Sequence, residues 1–187
     1  MQDRGSSTKD IVYIALFAAL TAALALFPPI MLPLFAVPIS AQSIGCMLAG
    51  AILGSRRGAL SMLLVVALVA IGLPILSGGR GGLGVFFGPT AGYLVGWIPA
   101  AYVVGLLHEW GWRRLNVLNS FAFCVIGGIL VEYAIGIPWT AFNVDLPLLK
   151  TTIASSAFIP GDIVKAGLAA IIAMAVKRSY PIIQRTA

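Results

Sequence analysis

The sequence predicts an all-α membrane protein, a compact bundle of about six transmembrane helices with both termini cytoplasmic. Three observations predict it. Sixty per cent of the 187 residues are hydrophobic and only 10% are charged, far below the roughly one quarter that solvates an ordinary soluble domain. Mean hydropathy is +1.01, and the apolar residues gather in runs that suit spans of about 20 residues. The cations stand largely in pairs at the ends of those runs, where they set topology and meet headgroups. Residues 1–187 are accordingly read as a single membrane-embedded domain.

The elements are taken in chain order. Residues 1–10, MQDRGSSTKD, are polar. Residues 11–27 form an unbroken apolar run. Ala23, Leu24 and Ala25 resemble a signal-peptide cleavage site, but further apolar segments come at once, which favours a retained first span. Pro28, Pro29, Pro33 and Pro38 break the next stretch, FPPIMLPLFAVPIS, because proline cannot continue a helix ladder. A second span is expected over 40–54, ending at Arg56 and Arg57, and a third over 58–73, stopped by Pro74. SGGRGGLG at 77–84 is a glycine-rich turn around Arg80. The fourth span is expected over 85–107, then EWGWRR at 109–114 with its tryptophans at headgroup depth. His108, beside Glu109, is expected at that interface. The fifth span is expected over 117–137, then a loop over 138–158, then the sixth span over 159–176, closed by Lys177 and Arg178.

Charge orients the bundle. One side collects Arg4, Lys9, Arg56, Arg57, Arg113, Arg114, Lys177, Arg178 and Arg185, nine cations against Arg80 and Lys150 on the other. The positive-inside rule places the nine in the cytoplasm. The proline loop, the glycine loop and the 138–158 loop then lie outside.

The net charge of +6 does not imply nucleic acid, since no basic stripe or exposed aromatic platform accompanies it. Cys46 and Cys124 each lie in an apolar run, with no metal-ligand spacing near them, so they are read as core residues and no metal is expected. The glycine loop lacks the Gly-Lys-Ser/Thr ending of a phosphate-binding loop. Neither H-E-x-x-H nor G-x-S-x-G occurs, so no enzyme activity and no cofactor are expected.

Chemistry is expected in the sixth span. Asp162 and Lys165 are three residues apart and project from one helical face. Charges inside a span are costly unless paired or turned to a cavity, so the pair is either an internal clamp or part of a polar ligand site. Gln42 and Arg80 fall at the same outer level and favour the site. Glu132 is also at that depth and either lines the same cavity or neutralises a cation. Small residues recur every fourth position, as Ala15, Ala19 and Ala23 and as Gly88, Gly92 and Gly96. Such stripes admit close helix crossings, within the bundle for the glycines and within it or against a partner for the alanines.

VPISAQ (37–42), GGRGGLGVFFGPTAGYLVGW (78–97) and FIPGDIVKAGLAA (158–170) together resemble the BioY family, the biotin-specific S components of energy-coupling factor (ECF) transporters. The glycine-rich segment running into Gly88, Pro89 and Thr90 is the most specific of the three. Ala157 stands where the family pattern often has proline. The resemblance implies a six-helix fold in a prokaryotic plasma membrane that binds biotin near its outer face. It also implies a membrane coupling subunit and two cytoplasmic ATPases as partners, with Ala15, Ala19 and Ala23 matching the family's Ala-x-x-x-Ala contact surface. On this reading Asp162 accepts from the ureido N–H groups and Lys165 donates to the ureido carbonyl. Gln42 completes that polar end, Arg80 pairs with the valerate carboxylate, and Phe86, Phe87 or Tyr93 covers the apolar ring. The alternatives are an S component for another small vitamin, or a membrane enzyme.

Overall fold

A computed structural model of the chain describes residues 8–27 and 40–183. The prolines at 28–38, Arg4 and Arg185 lie outside the described residues. Helix α1 (Thr8–Ala23) ends in a 3-10 turn at Leu24–Leu26. Helices α2 (Ser43–Leu53), α3 (Ser55–Ala70) and α4 (Ala91–Gly111) come next. Helix α5 (Val117–Val125) runs through a π-helical segment, Ile126–Val131, into α6 (Glu132–Asn143). Helix α7 (Leu148–Ser155) joins α8 (Ile159–Ser179) through a 3-10 turn. Among the described residues four stretches are long and apolar enough to cross a membrane: Thr8–Leu26, Ala91–Arg114, Val117–Asn143 and Leu148–Ser179; Ser43–Leu53 is apolar but shorter.

Helix α2 is the centre of the bundle. Every residue from Ile44 to Leu53 is buried, as an all-round apolar helix requires, and α1, α3, α4 and α8 pack around it. Glycine sets how closely the backbones approach. A Cβ at Gly50 would strike the Ala101 carbonyl of α4, and one at Gly105 would strike the Ser55 backbone of α3. The remaining space is filled by Met47, Met62, Val65, Val69 and Val104, all fully buried. The outer helices are apolar on both sides. Helix α8 buries Ala166, Ala169, Ala170 and Ala173 and exposes Val164, Leu168, Ile171 and Ile172. Without a membrane this surface would be an extended apolar patch; in a bilayer it meets lipid.

The two ends of the bundle differ. At one end Arg57 pairs with Asp10 at 2.9 Å, and the Ser55 N–H donates to Glu109 at 2.7 Å. Lys177 there donates to the Trp112 carbonyl at 2.8 Å and lies over the Trp112 ring. At the opposite end Trp139, Thr140 and Asn143 donate to the carbonyls of Gly88, Pro89 and Phe87. The glycine loop lies at this second end. Leu76 and Arg80 exchange backbone hydrogen bonds across it, and the reversal passes through Gly78 (φ 80°) and Gly79 (φ 69°). A side chain is disfavoured in that left-handed region, so these glycines turn the chain and need no phosphate to explain them.

Several element limits differ from the sequence reading. The fourth span begins at Ala91, because residues 83–87 form a separate 3-10 turn, and it continues to Gly111 through much of the expected EWGWRR loop. Most of the expected 138–158 loop is helical: α6 carries Pro138 in its interior and α7 starts after Pro147. Proline breaks helices less reliably in membranes, where neighbouring helices re-satisfy the freed backbone groups. His108 is enclosed by protein. It is fully buried, contacts Ser120 Oγ and the Val104 carbonyl, each at 2.8 Å, through its two ring nitrogens, and meets Phe123 edge-on. Two glycines of the expected stripe pack inside the bundle, Gly92 against Trp139 and Gly96 against Glu132, whereas Gly88 precedes α4. Ala15, Ala19 and Ala23 face outward instead.

Candidate ligand-binding site

A cavity opens at the glycine-loop end. Helices α2, α4 and α8 all begin there, and their N-terminal dipoles favour negative charge nearby. The fifth helical stretch adds Glu132 and Tyr133, the first two residues after the π-helical segment. A π-helical turn carries an extra residue and shifts the angular positions of the residues after it. The segment thus resets the facing of Glu132 and Tyr133 relative to α5, and both line the cavity.

Asp162 and Lys165 form the polar centre. Lys165 Nζ lies 2.8 Å from Asp162 Oδ1 and donates to Ser43 Oγ on α2 at 2.9 Å. The Tyr133 hydroxyl donates to the other carboxylate oxygen at 2.5 Å. The pair therefore ties α2, α6 and α8 together and also lines the cavity. Tyr93 lines it from α4, its hydroxyl 3.1 Å from Ser155 Oγ and its ring edge-on to Tyr133.

Arg80 stands at the rim, where Nε donates to the Ser77 carbonyl and Nη1 to Thr90 Oγ1, each at 3.2 Å. Partial desolvation lowers its pKa from the ordinary arginine value, but a guanidinium keeps its charge across the physiological range. Gln42 lies at the cavity wall with its amide fully engaged. Nε2 donates to the carbonyls of Thr21 and Ile75, and Oε1 accepts from the Ser77 N–H and hydroxyl. Two donors and two acceptor sites are all that an amide offers. Gln42 thus fastens the glycine loop to α1 and α2.

Of the three aromatic candidates only Tyr93 reaches the lining. Phe86 packs on the hydrophobic core and Phe87 is exposed. Sequence reasoning missed Tyr133, Trp97, Ser43 and Ser77, none of which carries a charge to stand out in an apolar run. Glu132 lines the cavity, which resolves where it sits. Its partner is Trp97, whose Nε1 donates to Oε1 at 3.1 Å.

An apolar bundle with ionisable and aromatic side chains turned into a cavity near one end defines a membrane-embedded ligand-binding protein. Comparison with known proteins gives its family. The BioY family model matches residues 1–182. The chain is 51% identical over 185 residues to the biotin transporter BioY of Rhizobium etli, a match that covers 95% of this chain and 97% of the relative. It is 49% identical to that of Rhodobacter capsulatus, over 92% and 95% of the two chains. The crystal structure of the S-component for biotin from an ECF-type ABC transporter matches with a TM-score of 0.88 at 30% identity, over 95% of each chain. The chain belongs to the BioY family, a family of transporters and not of enzymes.

Proposed function

We propose that the chain is the substrate-binding membrane subunit of a biotin uptake system in a prokaryotic plasma membrane. It takes biotin from the outer side and works with an ECF membrane coupling subunit and two cytoplasmic ATPases. The whole chain forms one six-span unit with both termini in the cytoplasm. The observation that carries the reading is the Asp162, Lys165 and Tyr133 cluster in a cavity beside Arg80, in a chain so similar to named biotin transporters.

The cavity suits the ligand's chemistry. The ureido head has two N–H donors and a carbonyl, and Asp162 and Lys165 offer an acceptor and a donor on one face of α8. A buried head group costs little when each polar atom finds a partner. Arg80 at the rim pairs with the valerate carboxylate, and Tyr93 covers the apolar ring. Gln42 acts at one remove by holding the loop that carries Arg80. Ala15, Ala19 and Ala23 form the docking surface for the coupling subunit, since their stripe is exposed on α1.

The test is mass spectrometry of ligand retained by detergent-purified protein, and then titration with a panel of vitamins. Biotin is the expected ligand. Tight binding of another vitamin, with none of biotin, would sink the assignment.

A further inference from the structure

Glu132 is buried in the fifth helical stretch, and an ionisable side chain at membrane depth calls for a function by default. It pairs with no cation among the described residues: Lys165 is engaged by Asp162 and Ser43, and Arg80 by the Ser77 carbonyl and Thr90. Among the described residues Glu132 accepts a hydrogen bond from Trp97, which leaves acceptor capacity on a carboxyl group that lines the cavity. Asp162 and Tyr133, which donates to it, line the same cavity, so the two carboxyl groups share it.

We infer that Glu132 is a second ligand-binding carboxyl group, taking one N–H of a cyclic urea while Asp162 takes the other. This inference rests on the biotin reading above. A ureido ring presents two N–H donors on opposite sides of one carbonyl, and a single side chain of α8 does not meet both edges. Acceptors on α8 and α6 flank the ring, with the Lys165 ammonium placed to donate to the carbonyl between them. Recognition then discriminates against rings lacking either N–H, because a buried acceptor left unpaired costs more than the hydrogen bond returns.

The test is equilibrium binding to the detergent-purified full-length chain. The ligands are biotin and the two cyclic carbamate analogues in which one or the other ureido N–H is replaced by oxygen. Wild type is expected to lose about tenfold or more in affinity for each analogue, the scale of one hydrogen bond to a charged group. Glu132→Leu is expected to lose a similar factor for biotin but to bind one carbamate isomer no worse than biotin, a non-additivity that marks direct contact. Asp162→Ala, which removes the acceptor, is expected to show the same pattern with the other isomer. Glu132→Met, which fills similar space without an acceptor oxygen, serves for the same cycle if the leucine variant does not fold. Losses that simply add for both isomers, or unchanged biotin affinity in Glu132→Leu, would overturn the inference. Failure of wild type to bind biotin would instead overturn the biotin reading, and is distinguished by that control.

Discussion

At the scale of single residues, Asp162 and Lys165 each serve two purposes, which makes their substitution informative only when stability is measured as well. Asp162→Asn and Lys165→Ala are each expected to weaken biotin binding by about 1–3 kcal/mol or more. Removing one partner also leaves the other charge uncompensated at membrane depth, so thermal unfolding of each variant must accompany the titration. Folded variants with wild-type affinity would leave the pair as a clamp between α2, α6 and α8. Arg80→Ala is expected to cost more affinity for biotin than for biotin amide, which lacks the carboxylate. Equal losses for both ligands would remove Arg80 from that role. Gln42 differs in kind. Gln42→Leu strands the Ile75 carbonyl and the Ser77 N–H, at about 1–3 kcal/mol for each buried group left unpaired, so a lower melting temperature should accompany weaker binding. An unchanged melting temperature would show that the glycine loop does not depend on Gln42.

At the scale of elements, the sequence makes most helices legible because apolar length and flanking cations both mark a span. The charged part of the site is legible for the same reason: Asp162, Lys165 and Glu132 each interrupt an apolar run. Tyr133 is not legible, since its direction depends on the π-helical turn at Ile126–Val131, which leaves no trace in a 3.6-residue periodicity. Pro138 misleads because proline's breaking rule is calibrated on helices in water. The first helix shows the opposite case. Its alanine stripe is plain in the sequence, but whether it faces in or out is settled only by packing, which buries Phe17, Ala18 and Thr21 and turns Ala15, Ala19 and Ala23 outward. Ala19→Trp should therefore leave biotin affinity and melting temperature near wild type while lowering co-purification of the coupling subunit and ATP-driven uptake. Intact assembly and uptake in this variant would end the docking proposal.

At the scale of the whole molecule, the fold concentrates its described cations at one end. Helices α1 and α3 start there and α2, α4 and α8 finish there, which gathers Lys9, Arg56, Arg57, Arg113, Arg114, Lys177 and Arg178. Arg80 and Lys150 stand at the other end, with the cavity. If the bilayer reads this asymmetry by the positive-inside rule, the cavity opens outward and the basic end meets the cytoplasm. Single cysteines test the orientation without changing the core, because Cys46 and Cys124 are both buried and are expected to resist a membrane-impermeant thiol reagent. In intact cells Lys150→Cys, on exposed α7, should be labelled from outside. Arg56→Cys and Arg113→Cys, both exposed at the basic end, should be labelled only after permeabilisation. The reverse pattern would place the cavity in the cytoplasm, and capture from the outer side would fall with it, while the binding chemistry of Asp162 and Lys165 would remain to be judged by titration alone.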